Sequence, residues 1–340
     1  MLNQYLIQLM LSKGIGEVAL KKIINVVPER EWQTLCESPH LLGNIINCRG
    51  NTIESVLLNK DRAGQLYLKM QKNSIAMILE SDKSYPPQLK DALGSKCPPV
   101  LFAKGNIELL STIAVGFCGS RKVSEKGLSI TSQCAMQLVQ KNISVVSGYA
   151  AGTDTAAHVA AIENGGNTIF VLAEGILNFS YKKQVKAHLT TQNHVFISQF
   201  YPDAQWSVGN AMKRNSIIIG LSKAMILVES GKSGGTFSAG EETLKLSLPL
   251  FVIDYEKPEV SAEANPYFIS RGGVPIRGKN QTPNLARVFW AVEHGSNHEN
   301  STKHSPVQLD FFNIMLQQAR LVELPALSAI PCIHAGLPHC

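Results

Sequence analysis

The segment SVVSGYAAGTDTAAH at residues 144–158 determines the fold class that we predict for this chain. Val145 and Val146 indicate a buried strand, the small residues at 148–153 indicate a tight loop, and the alanine-rich run after them is typical of a helix. A strand that ends in a glycine-containing loop and continues as a helix is the repeating unit of a doubly wound α/β sheet. The backbone amides of such a loop can bind an anion.

Composition is that of an ordinary globular protein. The chain has 340 residues, of which 44% are hydrophobic and 17% charged, so it can bury a full core in two or three domains. The formal net charge of +6 is compatible with binding to a polyanion or with a merely solvated surface. We find no run of membrane-spanning length and no signal peptide, so the cytoplasm is expected.

Cysteine usage favours a reducing compartment. The seven cysteines are scattered, odd in number and never spaced as CxxC. The one cluster lies in the terminal segment CIHAGLPHC, where Cys332, His334, His339 and Cys340 could in principle bind zinc. Because this tail has no second half-site, we predict no metal there. No cofactor is predicted either.

The chain is predicted to divide into three parts. Residues 1–72 show apolar residues at helical spacing and are interpreted as a small all-α domain of the helix-hairpin-helix or SAM-like kind. In the segment LSKGIGEVALKKII, Gly14 and Gly16 allow a tight turn, and the nearby Lys13, Lys21 and Lys22 could touch a phosphate backbone. Alternatively, the hairpin only packs helices together. Residues 296–340 are interpreted as a linker and a short tail.

The middle part, residues 73–295, alternates apolar runs with segments of helical length. The runs predict strands at 75–79, 100–103, 113–117, 143–147, 168–172, 195–198, 224–228 and 250–253. Continuous apolar strands separated by helices indicate an extended Rossmann-like, doubly wound and mainly parallel sheet. Ligands of such sheets bind at the carboxyl ends of the strands, so the loops that follow the strands are the candidate sites.

The first two of these loops carry glycines that would let a ligand approach the backbone. In GFCGSRKVSEKG, Ser120 is predicted to cap the following helix and Arg121 to lie at its positive end. In the segment that opens this section, Asp154 is predicted to be the helix N-cap. His158, on the same helix, is more typical of a packed residue than of a catalytic base.

Two further loops complete the predicted site. In SGGTFSAGEE, Ser238 and Glu241 have the spacing of a capping box, and the hydroxyl and glycines ahead of them face the same edge of the sheet. In NAMKRNSIIIGLS, two cations precede a buried run. Neither GxGxxG nor GxxxxGK[ST] is present, so dinucleotide binding and ATP hydrolysis have no support. The predicted phosphate-binding residues are Gly119, Ser120, Arg121, Ser147, Gly148, Ala150, Gly152, Lys182, Lys213, Arg214, Asn215, Ser233 and Gly234.

These motifs resemble the DNA-processing protein A family, also called DprA or Smf. The similar segments, in order, are YPPQLKDALGSKCPPVLFAKG from residue 85, GSR from 119, SGYAAGTDTAAH from 147, KRNSIIIGLSKAMILVES from 213 and SGGTFSAGEE from 233. The resemblance implies a protein without catalytic residues that binds single-stranded DNA as a homodimer, protects it and loads RecA recombinase in transformation or recombination.

The chain also departs from the family pattern. Ser216 stands where the family has the second arginine of its R-N-R segment, and Ala211 and Met212 stand where it has phenylalanine and proline. The segment AEGILNFSYKK is one residue longer than its counterpart, and the last residues leave no room for a full winged helix.

Two other functions and one assembly surface follow from the sequence. A nucleotide sensor or phosphoribohydrolase-like enzyme would use a G-G-x-G-T-x-x-E segment, but Gly235, Thr236 and Glu241 have the wrong spacing for it. A defence-system adaptor is the other alternative. For assembly, NLARVFWAVEH at 284–294 places Leu285, Val288, Phe289 and Val292 on one helix face, which either forms a dimer interface or packs on the sheet.

Overall fold

The computed structural model describes residues 3–48, 50–257, 259–279 and 282–295. The predicted linker and tail at 296–340, with the cysteine and histidine cluster, lie outside the described residues. The described residues all belong to one compact unit. The predicted boundaries after residues 72 and 295 stay predictions. The first part of the chain, up to residue 72, is helical. Its helices are α1 Asn3–Met10, α2 Glu17–Val26, α3 Trp32–Glu37, α4 Gly50–Leu58 and α5 Lys60–Lys72.

The glycine turn between α1 and α2 packs against α4. Gly14 has φ +86°, and a Cβ atom there would overlap the side chain of Thr52. The amide of Lys13 donates to Ser55 Oγ at 2.9 Å, and Lys21 pairs with Glu80 at 2.8 Å. These contacts are the ones expected if the hairpin packs helices together.

All eight predicted strands are present. They are β1 Ala76–Leu79, β2 Val100–Gly105, β3 Ala114–Cys118, β4 Ser144–Ser147, β5 Thr168–Val171, β6 His194–Ser198, β7 Ala224–Leu227 and β8 Leu250–Ile253. A ninth strand, β9 Val274–Ile276, and a small hairpin of β10 Gly278–Lys279 and β11 Thr282–Pro283 were not predicted.

The large sheet has the order β1-β2-β6-β5-β4-β3-β7-β8-β9. All pairs from β6 to β9 are parallel, whereas β1 pairs with β2 and β2 with β6 in antiparallel fashion. The prediction of a mainly parallel, Rossmann-like sheet is therefore confirmed.

Helices cover both faces of this sheet. The helices after β1 are α6 Pro87–Leu93, α7 Glu125–Val139, α8 Thr153–Glu163, α9 Lys183–Lys186, α10 Val208–Leu221, α11 Gly235–Lys245, α12 Asn265–Ser270 and α13 Ala286–His294. Because side chains alternate along a strand, Ile169 packs with α6, α10, α11 and α12 on one face, whereas Phe170 packs with the helices of the first part on the other. Helices α7, α8 and α13 cover the rest of that second face.

Helix α13 is a packing helix. Leu285 and Val288 are buried beside Phe117 and Val228, and Phe289 packs against the same cluster. The proposed dimer interface on this face is therefore wrong, because the apolar side chains that would form it are already covered by the sheet of the same chain. Among the described helices, none is both long enough and apolar enough to cross a bilayer.

The order of the strands creates a crevice. From β3 the chain runs outward through β4 and β5 to β6, and it then returns through α10 to β7, which pairs with the other side of β3. The loops that follow β3 and β7 therefore diverge to opposite faces of the sheet. The space outside the carboxyl ends of these two strands is the switch point at which doubly wound sheets bind ligands.

Candidate nucleic-acid interface

A buried arginine lies at the carboxyl end of β4. Arg214 is only 7% exposed, and its guanidinium lies so close to Gly148 that a Cβ atom there would overlap Nη1. Nη1 is 3.9 Å from Asp154 Oδ2, and the buried Nε atom has no hydrogen-bond partner among the described residues. Burial lowers the pKa of this guanidinium from its ordinary value. A desolvated cation with an unsatisfied donor is well suited to meet an anionic ligand.

Helix α10 holds Arg214 in this position. Its first turn is capped by Ser207, whose Oγ accepts from the Asn210 amide at 3.0 Å. Its second half, from Ile217 to Leu221, is buried against the sheet. The arginine lies between the cap and the buried run, so the helix cannot shift without losing both.

The neighbours of Arg214 on α10 point in different directions. Asn215 is buried and donates to the Gly235 carbonyl at 3.3 Å, which joins α10 to the loop after β7. Lys213 is about half exposed and forms an ion pair with Glu17 of α2. The Ser216 hydroxyl donates to the Lys213 carbonyl at 2.7 Å. The structure thus brings Arg214 and Asn215 to the crevice and turns Lys213 toward the helical part of the chain.

The loop after β4 is fixed from within. Ser147 is fully buried and its hydroxyl donates to the Phe117 carbonyl at 2.8 Å. Helix α8 begins at Thr153 with Gly152 as its N-cap, at φ +75°. The prediction of Asp154 as N-cap is therefore wrong, because the chain enters the helix earlier; Asp154 lies in the first turn and accepts from the Ala150 amide at 3.3 Å.

The glycines of the first two loops make room for the protein itself. A Cβ atom on Gly119 would overlap the Thr153 side chain, and one on Gly152 would overlap the carbonyls of Ser120 and Arg121. The space beside these glycines is filled by the neighbouring loop, so packing alone already requires glycine there. Their role as phosphate-binding positions stays a prediction.

Ser120 and Arg121 lie in the turn that precedes α7. The prediction that Ser120 caps this helix is wrong, because α7 begins only at Glu125 and Ser124 Oγ accepts from the Gly127 amide at 3.0 Å. Ser120 Oγ instead accepts from the Lys122 amide at 3.0 Å within the turn. Arg121 is exposed, and its guanidinium carbon lies 5.6 Å from the ring centre of Trp206.

Lys182 stabilises the loop after β4. Its Nζ donates to the carbonyls of Tyr149 at 2.8 Å and Ala150 at 2.9 Å and to Thr155 Oγ1 at 2.8 Å. Since an ammonium group has three protons, these contacts use all of its donors. Burial also lowers the pKa of Lys182. Its hydrogen bonds therefore belong to the loop, and Asp154 and Glu174 lie within electrostatic reach of its charge.

The loop after β7 combines a buried base with an open tip. Glu229 is fully buried and accepts from the Ser124 amide at 2.9 Å and from Ser261 Oγ at 2.6 Å, so it connects this loop to the start of α7. Ser233 and Gly234 are exposed at the tip. Gly234 is the N-cap of α11 at φ +95°, with nothing near its missing Cβ.

The predicted capping box after β7 is wrong. Helix α11 begins at Gly235, so Ser238 lies inside the helix rather than at its start. The Glu241 carboxylate instead accepts from the Tyr267 hydroxyl at 3.1 Å.

His158 is a packed residue, as predicted. It is fully buried, with Nδ1 beside Thr168 Oγ1 and Nε2 2.7 Å from the Gly148 carbonyl. Burial lowers the pKa of the imidazole to about 3. Because both ring nitrogens are engaged and the ring stays neutral, His158 supports the Gly148 loop.

Two exposed aromatic residues that follow β6 were not predicted. Tyr201 is 44% and Trp206 is 48% exposed, both in the loop between β6 and α10. The sequence gives a weak signal, a tryptophan in a polar segment just before a helix cap, but it does not show that the ring stays uncovered. Among the described residues, no cluster of three or more histidine, cysteine or acidic side chains could hold a metal ion.

The fold and crevice define a Rossmann-like protein with a buried cation at the switch point of its sheet, and the comparisons with known proteins agree. Residues 76–282 match the family model described as DNA recombination-mediator protein A. The DNA processing protein DprA of Streptococcus pneumoniae is 32% identical over 219 residues, which are 63% of this chain and 75% of that protein. The DprA of Bacillus subtilis is 29% identical over 245 residues, 72% of this chain and 76% of that protein.

Solved structures show the same fold. The X-ray structure of DprA from S. pneumoniae matches with a TM-score of 0.66 and 24% identity, covering 82% of this chain and 96% of that one. DNA processing protein A from Helicobacter pylori, studied for its single-stranded DNA binding mode, matches with a TM-score of 0.51 and 22% identity over 64% of this chain and 94% of that one. The chain belongs to the DNA recombination-mediator protein A family. The predicted family, and with it a role in DNA processing, is confirmed.

Proposed function

We propose that this protein binds single-stranded DNA by holding a backbone phosphate between Arg214 and the loop that follows β4. The observation that carries the proposal is the buried guanidinium of Arg214, which lies against Gly148. Its Nε atom has no hydrogen-bond partner among the described residues. A phosphate oxygen would supply the missing acceptor and neutralise the charge. The ligand is the one described for the H. pylori protein.

The charges around the crevice support an anionic ligand. The positive charge of Arg121 repels those of Lys182 and Arg214 and so contributes to lowering the pKa values of both side chains. Asp154 and Glu174 act in the opposite sense on the same two cations. Arg121, Lys182 and Arg214 thus lie within electrostatic reach of one another, and a phosphodiester between them would reduce their mutual repulsion.

The protein acts, in this proposal, without catalysis. Binding a phosphodiester chain needs donors and cations but no base. The histidine of this loop, His158, is neutral, buried and hydrogen-bonded at both nitrogens. This supports the assignment of a binding protein rather than a nucleotide hydrolase.

Three further elements of the proposal extend beyond the site. The family description, recombination mediator, supports loading of RecA recombinase onto the bound strand. We also propose a homodimer, which would have to use a surface other than α13. The buried thiols Cys97, Cys118 and Cys134 fit a reducing cytoplasm.

The test is a titration of fluorescent single-stranded DNA, duplex DNA and a panel of nucleotides at several salt concentrations. We expect saturable binding to the single strand, with each phosphate contact adding about 0.7 to the salt slope. Arg214→Met should weaken binding about 30-fold or more, as expected when one partner of a buried charge pair is removed. Lys213→Met, which removes an equal charge from the next position, is the matched control and should change affinity less than about threefold.

Two outcomes would contradict the proposal. Saturable nucleotide binding with no response to DNA would favour the nucleotide-sensor alternative. Equal losses from Arg214→Met and Lys213→Met would show that only net charge matters and that the crevice is not the site.

A further inference from the structure

We infer that Trp206 and Arg121 form a stacking shelf, at which an unpaired nucleobase packs on the indole ring next to the phosphate held by Arg214. This inference rests on the proposed function and adds a base-binding subsite to it. The two side chains come from loops that are far apart in sequence, after β3 and after β6, and they meet with 5.6 Å between the guanidinium carbon and the ring centre.

The loop that carries Trp206 is held firmly on one side. The amide of Gly175 donates to the Ala204 carbonyl at 2.8 Å, and the amide of Leu177 donates to the Pro202 carbonyl at 2.9 Å. Arg62 of α5 binds both carboxylate oxygens of Asp203, at 2.8 and 3.1 Å.

The other side of the loop is held by the start of α10. Asn210 donates through its side chain to the Gln205 carbonyl at 3.2 Å and through its amide to Ser207 Oγ at 3.0 Å. Trp206 therefore lies between two anchored segments. Its ring is nevertheless 48% exposed, so the fixed backbone presents an aromatic surface that the core does not use.

The turn that carries Arg121 is held as well. The Thr153 amide donates to the Ser120 carbonyl at 3.3 Å, and the Lys122 amide donates to Ser120 Oγ at 3.0 Å. Among the residues that the structure describes, no carboxylate lies within ion-pairing distance of the Arg121 guanidinium. The exposed guanidinium can therefore bind a phosphate while it lies over the indole.

The chemistry of the shelf matches one nucleotide of a single strand. Arginine offers a planar donor for phosphate, and the indole offers a flat apolar surface on which any base can stack. A duplex keeps its bases stacked on each other, so only an unpaired base can use the ring. The shelf would thus favour single strands without distinguishing between bases.

The experiment compares Trp206→Ala and Trp206→Phe with the wild type on two ligands, a short oligothymidylate and an abasic oligomer of the same length and charge. Loss of a stacked base costs about 5- to 150-fold in affinity. We expect Trp206→Ala to lose that much on oligothymidylate, Trp206→Phe to lose less, and neither to change binding of the abasic oligomer. The salt slope should stay the same, because no phosphate contact is removed.

Intrinsic fluorescence supplies a second measurement. Trp32 is fully buried, so oligothymidylate should quench emission in the wild type and in Trp290→Phe but not in Trp206→Phe. Equal losses on both ligands, or quenching that persists in Trp206→Phe, would overturn the shelf. If the wild type binds oligothymidylate and Trp206→Ala binds it equally well, the shelf is wrong while the proposed function stands. If the wild type binds neither ligand, both fail.

Discussion

The loops after β4 and after β7 both carry glycines at the carboxyl edge of the sheet, yet the structure builds them differently. In the β4 loop, Gly148 lies against a buried guanidinium and Gly152 against the turn that holds Ser120. In the β7 loop, Gly234 faces open space at an exposed tip. A glycine-rich motif therefore does not by itself indicate where a ligand binds; the buried cation beside one loop distinguishes them.

The comparison predicts that the same substitution, glycine to alanine, has different effects in the two loops. A methyl group added to the β4 loop must displace a side chain that the proposed site needs. One added to the β7 loop meets nothing and only disturbs the backbone. Gly148→Ala and Gly234→Ala test that difference directly, and changes at His158 and Lys182 test the β4 loop by itself; the largest expected effect comes first.

Gly148→Ala should weaken binding of single-stranded DNA about 30-fold or more, similar to loss of one partner of a buried charge pair. The new Cβ would overlap the Arg214 guanidinium, which is the end of a flexible side chain and can move away. The protein should therefore remain folded. Fluorescence anisotropy measures the binding and circular dichroism the fold. Unchanged affinity in the folded variant would separate Arg214 from the ligand.

His158 should make the β4 loop sensitive to acid. Its pKa is about 3 in the folded protein and about 6.5 in an unfolded chain, so the unfolded state binds the proton first as the pH falls. The contribution of neutral His158 to the free energy of unfolding is fully present above about pH 6.5. Below that pH it falls by about 1.4 kcal/mol per pH unit until about pH 3.

The direct check is the imidazole resonance of His158. It should not titrate between neutral pH and about pH 5, a range in which an imidazole with the ordinary pKa becomes protonated. Urea unfolding measured at neutral pH and at pH 5 should show that the free energy of unfolding falls by about 2 kcal/mol because of His158. The His158→Asn variant is the control, since it retains the effects of the carboxylates but lacks this contribution. A His158 signal that titrates like a solvated imidazole would show that the loop is open.

The sequence predicts the edge of the sheet well and the inside of the crevice poorly. All eight predicted strands form because each is a continuous apolar run, and parallel strands place their loops at one edge whatever the details. Helix caps fail by a few residues at Ser120, Asp154 and Ser238, since several residues in each segment could cap and tertiary contacts decide between them.

Burial of a charged residue is harder still to predict. Lys213 and Arg214 are adjacent cations in the sequence, but one pairs with Glu17 on the surface and the other is enclosed. The direction of α10 relative to the β4 loop makes this difference, and that direction depends on contacts with residues far along the chain. Likewise, the sequence of α13 is compatible with an apolar face that packs on the sheet or with one that forms a dimer. Only the structure shows that the sheet of the same chain covers this face.

Lys182→Met should loosen the β4 loop. The substitution removes the donor of three hydrogen bonds and leaves the carbonyls of Tyr149 and Ala150 without it. We expect a loss of about 1–2 kcal/mol in the free energy of unfolding, at the low end for charged hydrogen bonds because Lys182 is only half-buried. Lys183→Met, at the exposed neighbour, should cost less than about 0.5 kcal/mol. Equal melting temperatures for the two variants would show that Lys182 does not support the loop.

Gly234→Ala should have the smallest effect and provides the opposite arm of the comparison. Its φ of +95° strains any residue with a Cβ, so the variant should lose about 1 kcal/mol of unfolding free energy. Affinity for single-stranded DNA should change less than about threefold, because no neighbouring atom has to move and Arg214 keeps its place. The pair Gly148→Ala and Gly234→Ala, measured side by side by urea unfolding and anisotropy, therefore separates binding from stability: the first should affect mainly affinity and the second mainly the fold. The reverse pattern would move the phosphate site from the β4 loop to the tip of the β7 loop, where Ser233 and the helix α11 N-terminus would become its donors.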